Sequence, residues 1–251
     1  MLTTVLITAL AAAPEVAFAF SDATGQRVLA VGSVAAPKLL TRLVCGGTLL
    51  GARYSNTQER GREDNGRETY HNFDNRPGPV FAVEGGTARV GSTCLLGSAG
   101  FFANRTVHEV NQASKGDCDA KTSEAISHAQ KRKVKRCALL GNAALTSFVV
   151  VEFEPSGQER LLGLAVVSGN RVSQQSYSAK ATADGTSCWR VDDGCNFSPE
   201  AFRIPFILTG DRGTELFVLW DGPEGQSAEL LKVNGGVLEP EASASRYWSP
   251  L

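Results

Sequence analysis

Three short runs near the C-terminus, AFRIPFIL (201–208), TELFVLW (214–220) and SAELLKV (227–233), are separated by TGDRG and DGPEGQ. The runs are rich in β-branched and aromatic residues. The connectors hold glycine and aspartate, which tolerate positive φ or bond their own backbone. The same pattern recurs upstream. VAFAF (16–20) and QRVLAVGSV (26–34) flank SDATG, and SFVVVEFE (147–154) and ERLLGLAVVSG (159–169) flank PSGQ. Short strands joined by tight turns predict a mainly β chain, folded as an antiparallel sandwich, barrel or small propeller-like architecture.

Two stretches break the pattern. Residues 51–79 carry ten charges, five of each sign, with few apolar residues, and read as a long polar loop, within which proteases should cut residues 55–78 first, at Arg60, Arg62 or Arg67. Residues 119–136, DAKTSEAISHAQKRKVKR, read as one surface helix, with aspartate near its start and cations at its end to complement the helix dipole. The expected organisation is a single β-rich domain over 20–251. The alternative is two β halves, 20–115 and 138–251, joined by that helix.

The six cysteines are Cys45, Cys94, Cys118, Cys137, Cys188 and Cys195, with no C-x-x-C pair among them. An even set without metal-ligand spacing predicts disulfides formed in an oxidising compartment, and no metal site. Cys188 and Cys195 flank an Asp193-Gly194 turn and should bond to each other. A straight helix from 119 to 136 would hold Cys118 and Cys137 about 28 Å apart, too far for a bridge. Sequence leaves the pairing of Cys45, Cys94, Cys118 and Cys137 open. The N-terminal MLTTVLITALAAAPEVAFA has the apolar run and small residues of a signal peptide (1–19), although no Lys or Arg precedes Arg27. Ala17-Phe18-Ala19 fits the cleavage rule, at the cost of most of a strand-like run. The apolar run is about half a membrane span, so the expected location is secreted or periplasmic.

Five of the six residues from Lys131 to Arg136 are basic in a chain whose net charge is −1. On a helix, Lys131, Arg132, Lys135 and Arg136 would share one broad face beside Lys133, with Val134 turned to the sheet. Such a patch would attract an acidic glycan, an anionic lipid headgroup or an acidic protein. Nucleic acid is disfavoured, because residues 128–137 contain no aromatic to stack on bases. In CWRVDDGC (188–195), a stapled turn would present Trp189, Arg190, Asp192 and Asp193 as a recognition loop, or use the two aspartates as a calcium loop.

VCGGTLLGARY (44–54) resembles the segment before the catalytic histidine of chymotrypsin-like serine proteases. The resemblance covers about ten residues. The chain then continues SNTQERG in place of a run ending in His-Cys, and no Gly-Asp-Ser-Gly-Gly supplies a nucleophile. HEVNQ (108–112) lacks the second histidine of a zinc-protease helix, and LGSAG (96–100) is not a nucleophile elbow. Asn104-Arg105-Thr106 and Asn196-Phe197-Ser198 match N-glycosylation acceptors. No catalytic residue and no cofactor is expected. The sequence points to a secreted, disulfide-stabilised β-rich binding or assembly protein, contacting an anionic ligand through the basic helix end. The alternative is an extracellular, glycosidase-like hydrolase pairing carboxylates from Glu152, Glu154, Asp211, Glu215 and Asp221.

Overall fold

A computed structural model describes residues 16–112, 116–143, 145–182, 187–190 and 193–248. The chain is mainly β and forms two packed units. The first is a closed six-stranded barrel of β1 (Val16–Ser21), β2 (Arg27–Ala30), β3 (Leu40–Cys45), β4 (Thr48–Gln58), β5 (Gly78–Glu84) and β6 (Thr93–Ser98). Its strand order is β1-β2-β5-β4-β3-β6, and β1 pairing with β6 closes it. Side chains alternate across a strand. Ala19, Val28, Leu43, Phe81 and Leu96 therefore fill the barrel, while Phe18, Val44 and Leu95 point outward against the second unit.

After the single turn α1 (Ala99–Phe102), the chain builds a ten-stranded sheet. Its members are β7 (Arg105–Glu109), β8 (Asn111–Gln112), β9 (Val134–Ala143), β10 (Thr146–Phe153), β11 (Glu159–Ser168), β12 (Arg171–Lys180), β13 (Phe202–Gly210), β14 (Gly213–Asp221), β15 (Gly225–Asn234) and β16 (Val237–Tyr247). Two features nearly close this sheet into a second barrel. Residues 105–112 pair with β13 through β7 and with β9 through β8, with buried Val110 between them. On the opposite side, β12 and β16 meet in parallel at one pair, Gln174 and Val237. Along β11, Leu162, Leu164 and Val166 face the interior, and Leu161, Ala165 and Val167 face out. The helix α2 (Ala120–Gln130) covers that outer face with Ile126.

The two units join through apolar contact and through polar contacts centred on Arg246. Phe18 of β1 stacks on Phe217 of β14 at 5.9 Å. Arg246, almost fully buried, donates to Thr93 Oγ1, to the Gly91 carbonyl at 3.2 Å and to the Glu68 carbonyl at 2.7 Å. Burial pulls its guanidinium down to about 10.

Several sequence expectations change here. The helix stops at Gln130, not at 136, because Lys131 adopts the left-handed conformation (φ 54°) and β9 begins at Val134. With the helix short, Cys118 does bond to Cys137, at a Cα separation of 5.4 Å. The 51–79 segment is not one loop. Strand β4 runs to Gln58, a 3₁₀ turn at Tyr70–Asn75 buries Asn72 and Phe73, and β5 begins at Gly78. Asp64 organises the remainder by accepting from Asn72 Nδ2 at 2.9 Å and from Gly66 N at 3.0 Å, and by pairing with Arg60 and Arg76. The boundary between the β units falls between β6 and β7, not at the helix. Residues 16–19, assigned from sequence to a signal peptide, lie in β1, where Phe18 and Ala19 are buried. The rest of that signal lies outside the described residues.

Candidate functional site

One end of the second barrel gathers functional groups from successive strands. Arg136 of β9 is registered opposite Glu152 of β10, Glu152 opposite Leu162 of β11, and Leu162 opposite Tyr177 of β12. Across the barrel, Phe202 of β13 is opposite Trp220 of β14, and Trp220 is opposite Ser227 of β15. Direct cross-strand partners share a face of the sheet, so these residues form the rim of one barrel mouth.

The loop between β12 and β13 contributes its described residues 187–190 and 193–201 to this mouth. Its Cys188–Cys195 disulfide closes a tight turn, with Gly194 and Cys195 at φ 58° and 55°. Asp193 holds the turn from inside. Its Oδ1 accepts from Cys188 N and Cys195 N, and its Oδ2 from Trp189 N and Arg190 N, all between 2.8 and 2.9 Å. With four backbone donors on its two oxygens, Asp193 organises the loop and is already engaged as a ligand would find it. Asp192, the other aspartate of the sequence motif, lies outside the described residues.

Trp189 and Arg190 are not presented to solvent as the sequence suggested. Both are half-buried and turned to the barrel. Trp189 Nε1 donates to the Tyr177 carbonyl at 2.9 Å. Arg190 Nη2 donates to the Trp220 carbonyl and to Ser227 Oγ, each at 2.8 Å, with its guanidinium 4.6 Å from the Trp220 ring centre. A Cβ at Gly222 would stand 2.6 Å from Arg190 Cδ, so glycine there leaves room for the arginine. Phe202 stacks on Trp220 at 4.7 Å, and Tyr177 meets its edge at 5.0 Å.

These groups leave a cavity of about 330 Å³, with Trp189, Arg190, Asn196, Phe202, Trp220 and Asp221 in its lining. Asp221 is held by Arg203 at 2.9 Å and by Gln226 Nε2 at 2.6 Å. Near Arg190, the Tyr177 hydroxyl donates to Glu229 at 3.4 Å. Burial raises the Glu229 carboxyl above its ordinary range and lowers the Arg190 guanidinium. Burial, and then the neighbouring Glu229, raise the Tyr177 phenol.

The basic block reaches the same mouth by a route that helical spacing does not describe. Lys131 caps α2, Arg132 Nε donates to the Glu154 carbonyl at 2.8 Å, and Lys135 and Arg136 lie on β9. Lys135 and Arg136 bridge buried Glu152 at 3.1 and 2.6 Å. Arg136 also lies 4.8 Å over the ring of Phe197, the residue between Asn196 and Ser198 of the mouth. Lys131 and Lys133 are exposed. The five cations therefore form no common helical face.

Three of the five carboxylates proposed for hydrolysis, Glu152, Asp221 and Glu215, are engaged in separate ion pairs. Glu152 serves Lys135 and Arg136, Asp221 serves Arg203, and buried Glu215 is gripped by Arg105 at 2.6 and 2.8 Å. Glu215 also neighbours Glu241, whose carboxyl it helps to raise. VCGGTLLGARY forms part of the β3–β4 hairpin. Among the described residues, no group of three or more His, Cys, Asp or Glu side chains is placed to hold a metal ion.

Tyr177, Phe202, Trp220 and Glu229 were not singled out from sequence. For Phe202 and Trp220 the available signal was an aromatic near one end of a predicted strand, but only the register brings those ends together, and Tyr177 lies in β12, a strand not expected from sequence. No protein-family model, curated protein or solved structure matches this chain.

Proposed function

We propose that this chain is a secreted, disulfide-stabilised binding protein that takes a small molecule into the mouth of its second barrel. The observation that carries this reading is the aromatic-lined cavity of about 330 Å³ beneath a disulfide-closed loop. Small-molecule sites are concave, mainly apolar and aromatic, supplied with a few convergent polar groups, and often placed in barrel mouths. All six cysteines are bonded, which fits an oxidising compartment. No helix among the described residues is long and apolar enough to cross a membrane. The engagement of Glu152, Glu215 and Asp221 in ion pairs favours binding over hydrolysis.

The test uses the intrinsic fluorescence of Trp189 and Trp220 to screen small molecules, with thermal unfolding as a second readout. A true ligand at a hundred times its Kd stabilises the fold by about 2.7 kcal/mol. Both signals should vanish in Trp189→Ala. A ligand whose effects survive that change binds elsewhere, and the mouth would then be only a capped barrel end.

A further inference from the structure

We infer that the mouth is built for a neutral saccharide, a mono- or disaccharide in size. This rests on the mouth being the binding site and adds the chemistry of what it holds.

Charge is the first discriminator. The ionic side chains around the mouth are balanced within the protein. Arg203 pairs with Asp221 at 2.9 Å, Lys135 and Arg136 share Glu152 at 3.1 and 2.6 Å, and the Asp193 carboxylate in the lining offsets the extra cation. Arg190 lies on Trp220 and feels the opposite charges of Asp221 and Glu229. An anionic or cationic ligand would lose hydration without meeting an uncompensated counter-charge.

Hydrogen-bonding capacity is the second. The Asn196 amide and the Ser198 hydroxyl line the cavity and make no side-chain hydrogen bond among the described residues. Together they offer donors and acceptors. A purely apolar ligand would cover these groups without satisfying them, and such sites reject analogues that lack the matching hydroxyls.

Shape and surface are the third. Half-buried Trp189 and Trp220, backed by buried Phe202, provide apolar wall against which the C–H face of a sugar ring can pack while its hydroxyls reach the polar rim. The cavity volume lies at the low end of the roughly 300–1,000 Å³ range of ligand pockets, which fits one or two rings rather than a long oligosaccharide. A neutral, hydroxyl-bearing ring with an apolar face meets all three conditions.

The experiment titrates the full chain, produced without N-glycosylation so that Asn196 is bare, with neutral mono- and disaccharides. The matching uronic acids and the neutral apolar dye Nile red serve as comparisons, and tryptophan fluorescence and calorimetry report binding. The expected result is saturable binding of at least one neutral saccharide, weakened about tenfold by Asn196→Ala, with its uronic acid weaker still. Asn196 is exposed, so this variant should keep the wild-type melting temperature. If Nile red binds in a Trp189-dependent manner while no neutral saccharide does, the saccharide inference is overturned and the mouth remains a binding site. If neither probe responds to Trp189→Ala, both readings are overturned.

Discussion

Replacing Lys135 and Arg136 together by alanine separates two roles for the basic block. As a surface patch, these cations would serve an outside anion and contribute little to folding. In the structure they neutralise Glu152, whose side chain is only 3% exposed, while their own are 42% and 49% exposed. A pair between exposed side chains contributes about 0.2–1 kcal/mol. A buried carboxylate stripped of its partners costs about 3–5 kcal/mol. The exposed cations still bring water to the site, so the lower end of that range applies, and the double variant should lose about 3 kcal/mol. Each single variant should lose about 1 kcal/mol, because one cation remains. For a chain of this size, the double loss corresponds to a melting temperature lower by about 6–12 °C. Adding Glu152→Gln should recover most of the loss, since no buried charge would then be left alone. Urea unfolding measures these differences directly, and heparin retention of the same variants measures the rival role. A double variant within about 0.5 kcal/mol of wild type, combined with loss of salt-sensitive heparin retention, would refute the structural role and restore the anion patch.

Other consequences can be checked with similar material. Replacing Cys118 and Cys137 by alanine opens a loop of sequence separation 19 and should cost about 3 kcal/mol, read by urea unfolding, whereas an unchanged midpoint would mean the bond contributes nothing. Burial and then the neighbouring Glu215 raise the Glu241 carboxyl, so the folded chain holds that proton more tightly than the unfolded chain. The stabilisation this gives is complete below the unfolded pKa and is lost as pH rises through the folded pKa. Glu241→Gln should therefore change little in acid and raise stability above the folded pKa. The gain should stay below about 1 kcal/mol, because the bridge from Arg212 is weakened at the same time. A melting-temperature gain that shrinks with rising pH would contradict this. If a leader is removed, the mature N-terminus should precede Val16, because a cut after Ala19 deletes buried Phe18 and Ala19 from β1. Intact mass of the secreted protein decides this, and a mature chain beginning at Phe20 would show that the barrel closes without those residues.

The β class was legible because alternation is local. Leu162, Leu164 and Val166 face one way and their neighbours the other whatever the partner strand is. The end of α2 was not legible, because its left-handed cap is a lysine where glycine is the usual signal. Val134 looks equally helical or extended until β10 stands beside it. The segment 51–79 hid its strand because one side of β4 faces water. It hid its order because Asp64 binds residues up to twelve positions away, a network that composition does not reveal.

The mouth illustrates a deeper limit. Sequence marked the basic block and CWRVDDGC as separate surface features with separate partners. The fold places Arg136 over Phe197, sixty-one positions later, and thereby joins them at one rim. That junction depends on the registers Arg136–Glu152, Glu152–Leu162 and Leu162–Tyr177 holding together. A slip of one residue in any of them would reverse the faces and send the rim groups outside the barrel. The bulge between Glu152 and Phe153 in the β9–β10 pairing lies at this rim, next to the Arg136–Glu152 pair. It lets Val134 pair with Phe153 while Arg136 stays opposite Glu152, so the residues of the basic block do not follow one regular alternation. The ion pair and the bulge therefore act on the same register, and the charge of the basic block is part of what fixes the shape of the mouth.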